Sequence, residues 1–332
     1  MGNTITGGLA QGVFVHTGGA GTFESNLISK CVGPLVEVSG GSCPVFKENE
    51  LVGGAGGCVG VLVHDGARPE VLNNVFKECG KAGIHISDGA SPLVRGNKMF
   101  ACAEHGIFIT GSVSDACVVE ENEMMGCQLA GIDVSNGAAP TVARNVVERG
   151  NGTGVHVHDG GRGIFTQNSI RLNSKAGVVV RTSSEAILDA NLISDGKATG
   201  VYVYDNGKVL IRDGNKIERN AFHGVAVRDG GVLEMTGSRI VKSGQNGLYV
   251  YANGLATVSK CEISGSGNVG VIICEASTAE VKHCKICQNT FEGVWLYEQG
   301  QAKILNSDLR GNGRALRNDD NCVIEQSGNK II

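Results

Sequence analysis

The sequence predicts an all-β fold, a right-handed parallel β-helix of about fourteen coils, on three observations. The phrase Gly-apolar-x-apolar recurs with a spacing of 22 to 25 residues, usually 23. A polar column, mostly Asn, keeps step with it, and two flanking apolar columns do the same. The apolar runs are three to five residues long, alternate with period two and are rich in β-branched residues, which suits strands rather than helices.

The first phrase runs Gly12-Val-Phe-Val, Gly60-Val-Leu-Val, Gly83-Ile-His-Ile, Gly106-Ile-Phe-Ile, Gly131-Ile-Asp-Val, Gly154-Val-His-Val and Gly177-Val-Val-Val. It continues through Gly200-Val-Tyr-Val, Gly224-Val-Ala-Val, Gly247-Leu-Tyr-Val, Gly270-Val-Ile-Ile and Gly293-Val-Trp-Leu, with Leu35 and Ala315 in two poorer copies. Its Gly marks a turn that needs φ > 0, or close packing that excludes a Cβ. The polar column begins Asn3, Asn26, Asn49, Asn74 and ends Ser307, Asn329, and stacked coils would join it into an amide ladder. Two residues beyond each polar position lies an apolar one (Ile28, Leu51, Phe76, Met99), and three before it lies another (Phe46, Val71, Val94). The coil starting at Gly200 has one extra residue and is expected to break this last column. Asp-Gly and Asn-Gly pairs such as Asp65-Gly66 and Asp159-Gly160 read as turn residues.

Rival repeats fail. A leucine-rich repeat needs Leu-x-x-Leu-x-Leu, and a propeller blade needs about 40 residues. The expected organisation is therefore one solenoid over residues 1–332. Both termini fall inside the repeat, so end-to-end self-association through open coils is a further expectation.

The 41% hydrophobic content suffices for a large core. A net charge of −4 supplies no electrostatic ground for nucleic acid as a partner, and no apolar run is long enough to span a membrane. The N-terminal segment carries no basic-then-apolar leader, so the expected location is intracellular, and the twelve Cys then read as reduced, mostly buried thiols. Cys79, Cys102 and Cys127 fall in successive coils and predict a thiol stack. Neither they nor the lone Cys284-x-x-Cys287 has the arrangement of a metal site, so no metal or cofactor is expected.

The segments GVHVHDGGRGIFTQNSI (Gly154 to Ile170) and GVYVYDNGKVLIRDGNKI (Gly200 to Ile217) resemble the β-helix repeats, of carbohydrate-binding and sugar-hydrolase type, found in the F-box-only family of substrate receptors. The resemblance covers the chain and is best from Gly131 to Leu296. It implies a protein-recognition surface in a ubiquitin-ligase-type receptor, although the chain shows no F-box-like helical segment and no Cys/His-rich zinc module.

Candidate functional residues lie at two outward repeat positions, inside and just after the Gly-apolar-x-apolar strand. They are His85, Phe108, Asp133, His156, His158, Arg181, Tyr202, Tyr204, Arg228, Tyr249, Tyr251, Trp295 and Tyr297. All five Tyr, the single Trp and five of the eight His fall on this stripe. Tyr, Trp and Arg dominate recognition surfaces, so the leading expectation is a non-enzymatic scaffold binding a protein partner, peptide or folded. The same rings could stack on sugars, or merely on one another. The alternative is a carbohydrate-binding or polysaccharide-processing β-helix, a lyase, hydrolase or epimerase using Asp133, His156 and Arg181. His223, which precedes the repeat Gly, reads as structural.

Overall fold

The computed structural model describes residues 1–53 and 57–331. The fold is an all-β parallel solenoid of about 14 turns with a repeat near 23 residues, and no helix occurs among the described residues. Each turn contributes a short strand to each of three parallel sheets. In the first turns these are Thr4–Thr6, Val13–Val15 and Thr22–Glu24, which begin the first, second and third sheets. The chain divides into two compact units, Met1–Ser169 and Ile170–Ile332.

In the first unit the pairing is parallel and in register, so each repeat position meets its own copy in the next coil. Phe76 pairs with Leu51 and Met99, and Ile84 pairs with Val61 and Ile107. The inward columns are Ile28, Leu51, Phe76, Met99 and Met124 in the first sheet and Phe46, Val71, Val94, Val119, Val142 and Phe165 in the third, all essentially inaccessible to solvent. The amide ladder forms as expected. Asn26, Asn49, Asn74, Asn97, Asn122 and Asn145 each donate from Nδ2 to Oδ1 of the next Asn at 2.9–3.0 Å, and the same oxygen accepts the backbone N–H. Each of these buried amides is thereby satisfied.

In the second unit the sheets continue the same pattern; Ile217 pairs with Ile193 and Ile240, and Val225 pairs with Val201 and Leu248. Its polar column runs from Asn191 and Asn215 to Ser238, Cys261, Cys284 and Ser307, and only the Asn pair forms an amide rung. A second column replaces it, in which Gly196 and Ser266 backbone amides and Asn289 bond to Asn220, Asn289 and Asn312. These residues sit five beyond the first polar column, the position that Cys79, Cys102 and Cys127 fill in the first unit.

Two expectations need refinement. The repeat Gly is explained by packing rather than by φ. At Gly131 a Cβ would lie 2.1 Å from Val147 Cγ1 and 3.0 Å from the Gly154 carbonyl oxygen, while φ stays in the ordinary region. Positive φ belongs instead to turns such as Asp65-Gly66 (50° and 68°) and Asp159-Gly160 (50° and 74°). The extra residue of the Gly200 coil does not break its apolar column. Ile211 takes the place, pairing with Leu188 and Met235 and fully buried, and the insertion is absorbed in the turn at Gly214.

Candidate functional site

Asp133 stands at the x position of its phrase, on the second-sheet strand Ala130–Ser135. This strand pairs in register with Thr153–His158, so Asp133 faces His156 directly and Ser135 faces His158. The pleat puts all four outward on one face. His156 Nδ1 lies 3.0 Å from Asp133 Oδ2, and His158 Nε2 lies 3.0 Å from Asp133 Oδ1. Each carboxylate oxygen thus accepts from one imidazole. His158 Nδ1 contacts Asp159 Oδ2 at 2.7 Å, which turns its Nε2 toward Asp133. The two rings stack with centroids 4.2 Å apart.

His105 completes the cluster from the preceding coil. Its buried Nδ1 is 3.9 Å from Asp133 Oδ2, too far for a hydrogen bond, and has no partner. The His105 ring stacks on Phe108, which also stacks on His85, at centroid distances of 5.3 and 4.7 Å. Phe108 is the register partner of Asp133 on the preceding strand, and Asp133 is only 2% exposed.

Burial alone would push the Asp133 carboxyl up, but the hydrogen bonds from His156 and His158, helped by the nearby imidazoles, outweigh it and hold the group well below the usual range. The hydrogen bond to Asp133 raises His158 against its own burial, with Asp159 adding to the effect. Burial lowers His105, against the pull of Asp133. A carboxylate that gives up its proton readily, an imidazole that holds a proton more tightly than usual and one that holds it less tightly therefore share one small site, with the means to move a proton.

Of the sequence candidates, Asp133, His156 and His158 stand together here; His105 was not among them, because it precedes the repeat Gly and so belongs to no outward column. Arg181 follows the strand Val178–Val180 in the second unit, with Nη1 3.5 Å from Thr182 Oγ1.

The Tyr and Trp candidates lie within the second unit. Pairs recur in every other coil: Tyr202 with Tyr204, Tyr249 with Tyr251, and Trp295 with Tyr297, at centroid distances of 4.7, 4.3 and 4.8 Å. The intervening coils carry Ala226 and Ile272 at the x position, both buried under the larger rings. Tyr202 and Tyr251 hydroxyls meet across two coils at 3.3 Å. The Arg228 guanidinium sits 5.3–5.9 Å from the ring centres of Tyr202, Tyr204 and Tyr251, and its buried Nε has no hydrogen-bond partner. Burial raises the Tyr297 hydroxyl to about 12. Small-large alternation, which the aromatic residues alone do not reveal, makes these half-buried rings a continuous wall.

Fold and repeat define a parallel β-solenoid with a decorated outer face. The family model described as right handed beta helix region matches residues 1–116, 94–221 and 212–332, and the chain belongs to this family. No curated protein sequence matches the chain. Among solved structures it is similar to a variant of the periplasmic alginate epimerase AlgG, at 12% identity and a TM-score of 0.68 over 90% of this chain and 77% of that one. It is similar to a chain of the Vag8–C1 inhibitor complex, at 14% identity and a TM-score of 0.67 over 99% and 91%. The A-module of the Azotobacter vinelandii mannuronan C-5 epimerase AlgE6 gives 15% identity and a TM-score of 0.59 over 89% and 90%. At such identities the likeness is one of fold.

Proposed function

We propose that this chain is a carbohydrate-active β-helix that transfers a proton on a uronate-containing polysaccharide at Asp133, His156 and His158. The observation that carries the reading is the buried Asp133 carboxylate gripped by two imidazoles on an outward sheet face. The fold shared with two epimerases of polyuronates agrees with this reading.

The chemistry follows from the charges. The proton next to a uronate carboxylate is acidic enough to remove only if the developing negative charge is stabilised. His158, whose hold on a proton is strengthened by Asp133 and Asp159, supplies that positive charge in its protonated form. His156 binds Asp133 through Nδ1 and is assigned as the proton acceptor. Return of a proton from water to the opposite face inverts the carbon; alternatively the proton held by His156 passes to the neighbouring glycosidic oxygen as its bond to carbon breaks, which gives an unsaturated end and a new hydroxyl chain end. Hydrolysis is disfavoured, because it needs two carboxylates facing the substrate and Asp133 is sequestered by its imidazoles.

Asp133→Asn keeps the shape but removes the charge that orders both rings. On a panel of polyuronates, followed by proton NMR and by the ultraviolet absorbance of unsaturated ends, the substitution should lower turnover by roughly 10²–10⁴-fold. Absence of turnover on every polymer, or an Asp133→Asn protein as active as the parent, rules the assignment out.

A second reading is favoured by the Tyr, Trp and Arg wall of the second unit: the docking of a protein partner, as in the substrate-recognition part of a ubiquitin-ligase-type receptor. Replacing Tyr202, Tyr249 and Trp295 together by Ala should weaken a protein partner by at least about thirtyfold. If the wall instead serves the glycan, the same variant loses polymer affinity on an affinity gel and leaves protein capture unchanged.

A further inference from the structure

We infer that Asp133, His156, His158 and His105 form a binding site for one divalent transition-metal ion of the zinc, cobalt or nickel class. Asp133, His156 and His158 each offer a ligand atom, and the three atoms lie within 4.8 Å of one another. The two imidazole nitrogens stand 3.0 Å from the carboxylate oxygens they face. With metal–ligand bonds of about 2.0–2.2 Å, ligand atoms at right angles around an ion are separated by roughly 3 Å. The hydrogen-bonded cluster is therefore already close to coordination spacing, with protons standing where a cation would sit.

The support that a ligating imidazole needs is also in place. Asp159 Oδ2 contacts His158 Nδ1 at 2.7 Å and presents Nε2 inward, the carboxylate–histidine arrangement that fixes a metal-binding ring. Independently, His105 directs a buried Nδ1 toward the same Asp133 oxygen that faces His156, from 3.9 Å, and that nitrogen has no hydrogen-bond partner. A buried polar atom left unmatched costs stability, so its persistence here calls for a ligand. A cation shared with Asp133 would satisfy it.

Ligand chemistry selects the ion. Three imidazoles and one carboxylate suit zinc, cobalt or nickel, whereas calcium and magnesium need predominantly oxygen donors. A second cluster, His64, Asp65 and Asp88, brings ligand atoms equally close, but both of its carboxylates are exposed, and they already contact His64 and Ser87.

The inference does not rest on the glycan reading, since metal binding is measured with no substrate present. It does bear on it: an ion here takes the nitrogens assigned to proton transfer, so loading should suppress any turnover. The test is to strip the protein with a chelator, titrate it with Co²⁺ at neutral pH and read the visible d–d bands, then measure retained metal after gel filtration. The expected result is one Co²⁺ per chain, displaced by Zn²⁺. His158→Ala and His105→Ala should each weaken binding at least tenfold, with folding checked by circular dichroism. Asp159→Asn, at a half-exposed position that leaves the core untouched, should weaken it about ten- to hundredfold. No retained metal overturns the proposal. So does binding that all three variants leave unchanged, or near-ultraviolet thiolate-to-cobalt bands that place the ion on cysteine.

Discussion

Removing one amide from the Asn ladder should cost far more than its small size suggests. Asn122 Nδ2 donates to Asn145 Oδ1 at 3.0 Å and to the Val94 carbonyl at 2.9 Å. Its Oδ1 accepts the Asn97 backbone N–H and the Asn97 Nδ2, both at 2.9 Å. Asn122→Ala deletes these four bonds and strands the Asn97 N–H inside the coil. At about 0.5–1.5 kcal/mol net per bond, plus the desolvation of a stranded donor, the loss is on the order of 4 kcal/mol. Asn122→Ser should be milder by about 1 kcal/mol, because a hydroxyl in this column can still accept from the coil before it. Ser307 does so for the Cys284 amide at 3.1 Å. Asn151→Ala is the surface control; its amide bonds only to the Gln128 side chain and is exposed, so a change within about 0.5 kcal/mol is expected. Urea unfolding followed by circular dichroism measures all three. A loss below about 1 kcal/mol for Asn122→Ala, or equal losses for Ala and Ser, would refute the ladder argument.

Three further outcomes are expected. Burial lowers His223 from its ordinary 6.5 to about 4, so the folded state prefers the neutral ring. Stability is then full above pH 6.5 and declines as pH falls toward 4, by up to about 3 kcal/mol. His223→Gln should flatten that part of the pH–stability curve, and an unaltered slope would show that other groups cause it. At Gly152 a Cβ would lie 1.3 Å from the Leu129 carbonyl oxygen, whereas at Gly137 (φ 83°) nothing stands within 4 Å. Gly152→Ala should therefore destabilise by about 3 kcal/mol or more, and Gly137→Ala by about 1–2 kcal/mol from backbone strain alone; thermal melts that reverse this order contradict the packing. Of the twelve thiols only Cys43 is exposed and Cys322 partly so, the other ten being buried. Burial also raises Cys117 to about 12. Native alkylation read by mass spectrometry should label Cys43 first and Cys322 more slowly; early labelling of Cys102 would count against the buried stack, and of Cys117 against its burial.

The periodic features of this protein were legible in its sequence, because in-register stacking makes every column meet itself. Phe76 above Leu51, the Asn26-to-Asn145 ladder and the Asp65-Gly66 turn all follow from a 23-residue repeat read one residue type at a time. Local chemistry between neighbouring coils was legible for the same reason: Asp133 and His156 hold the same place in consecutive repeats and are ladder partners. The exceptions to the period were not. Ile211 keeps its column because the turn at Gly214 takes up the extra residue, a choice made by packing and invisible to residue counting.

His105 shows the limit most clearly. It lies one residue before a repeat Gly, off the outward columns, and reaches the Asp133 site only because the strand of one coil lies beside that of the next. The aromatic wall likewise depends on Ala226 and Ile272 being small enough for their neighbours' rings to cover them. Sequence alone determined the coil, its columns and which residues face outward, because those depend on a period. Which outward groups touch, which are buried and which lack a partner depends on side-chain volumes in adjacent coils, and only the folded chain decides that.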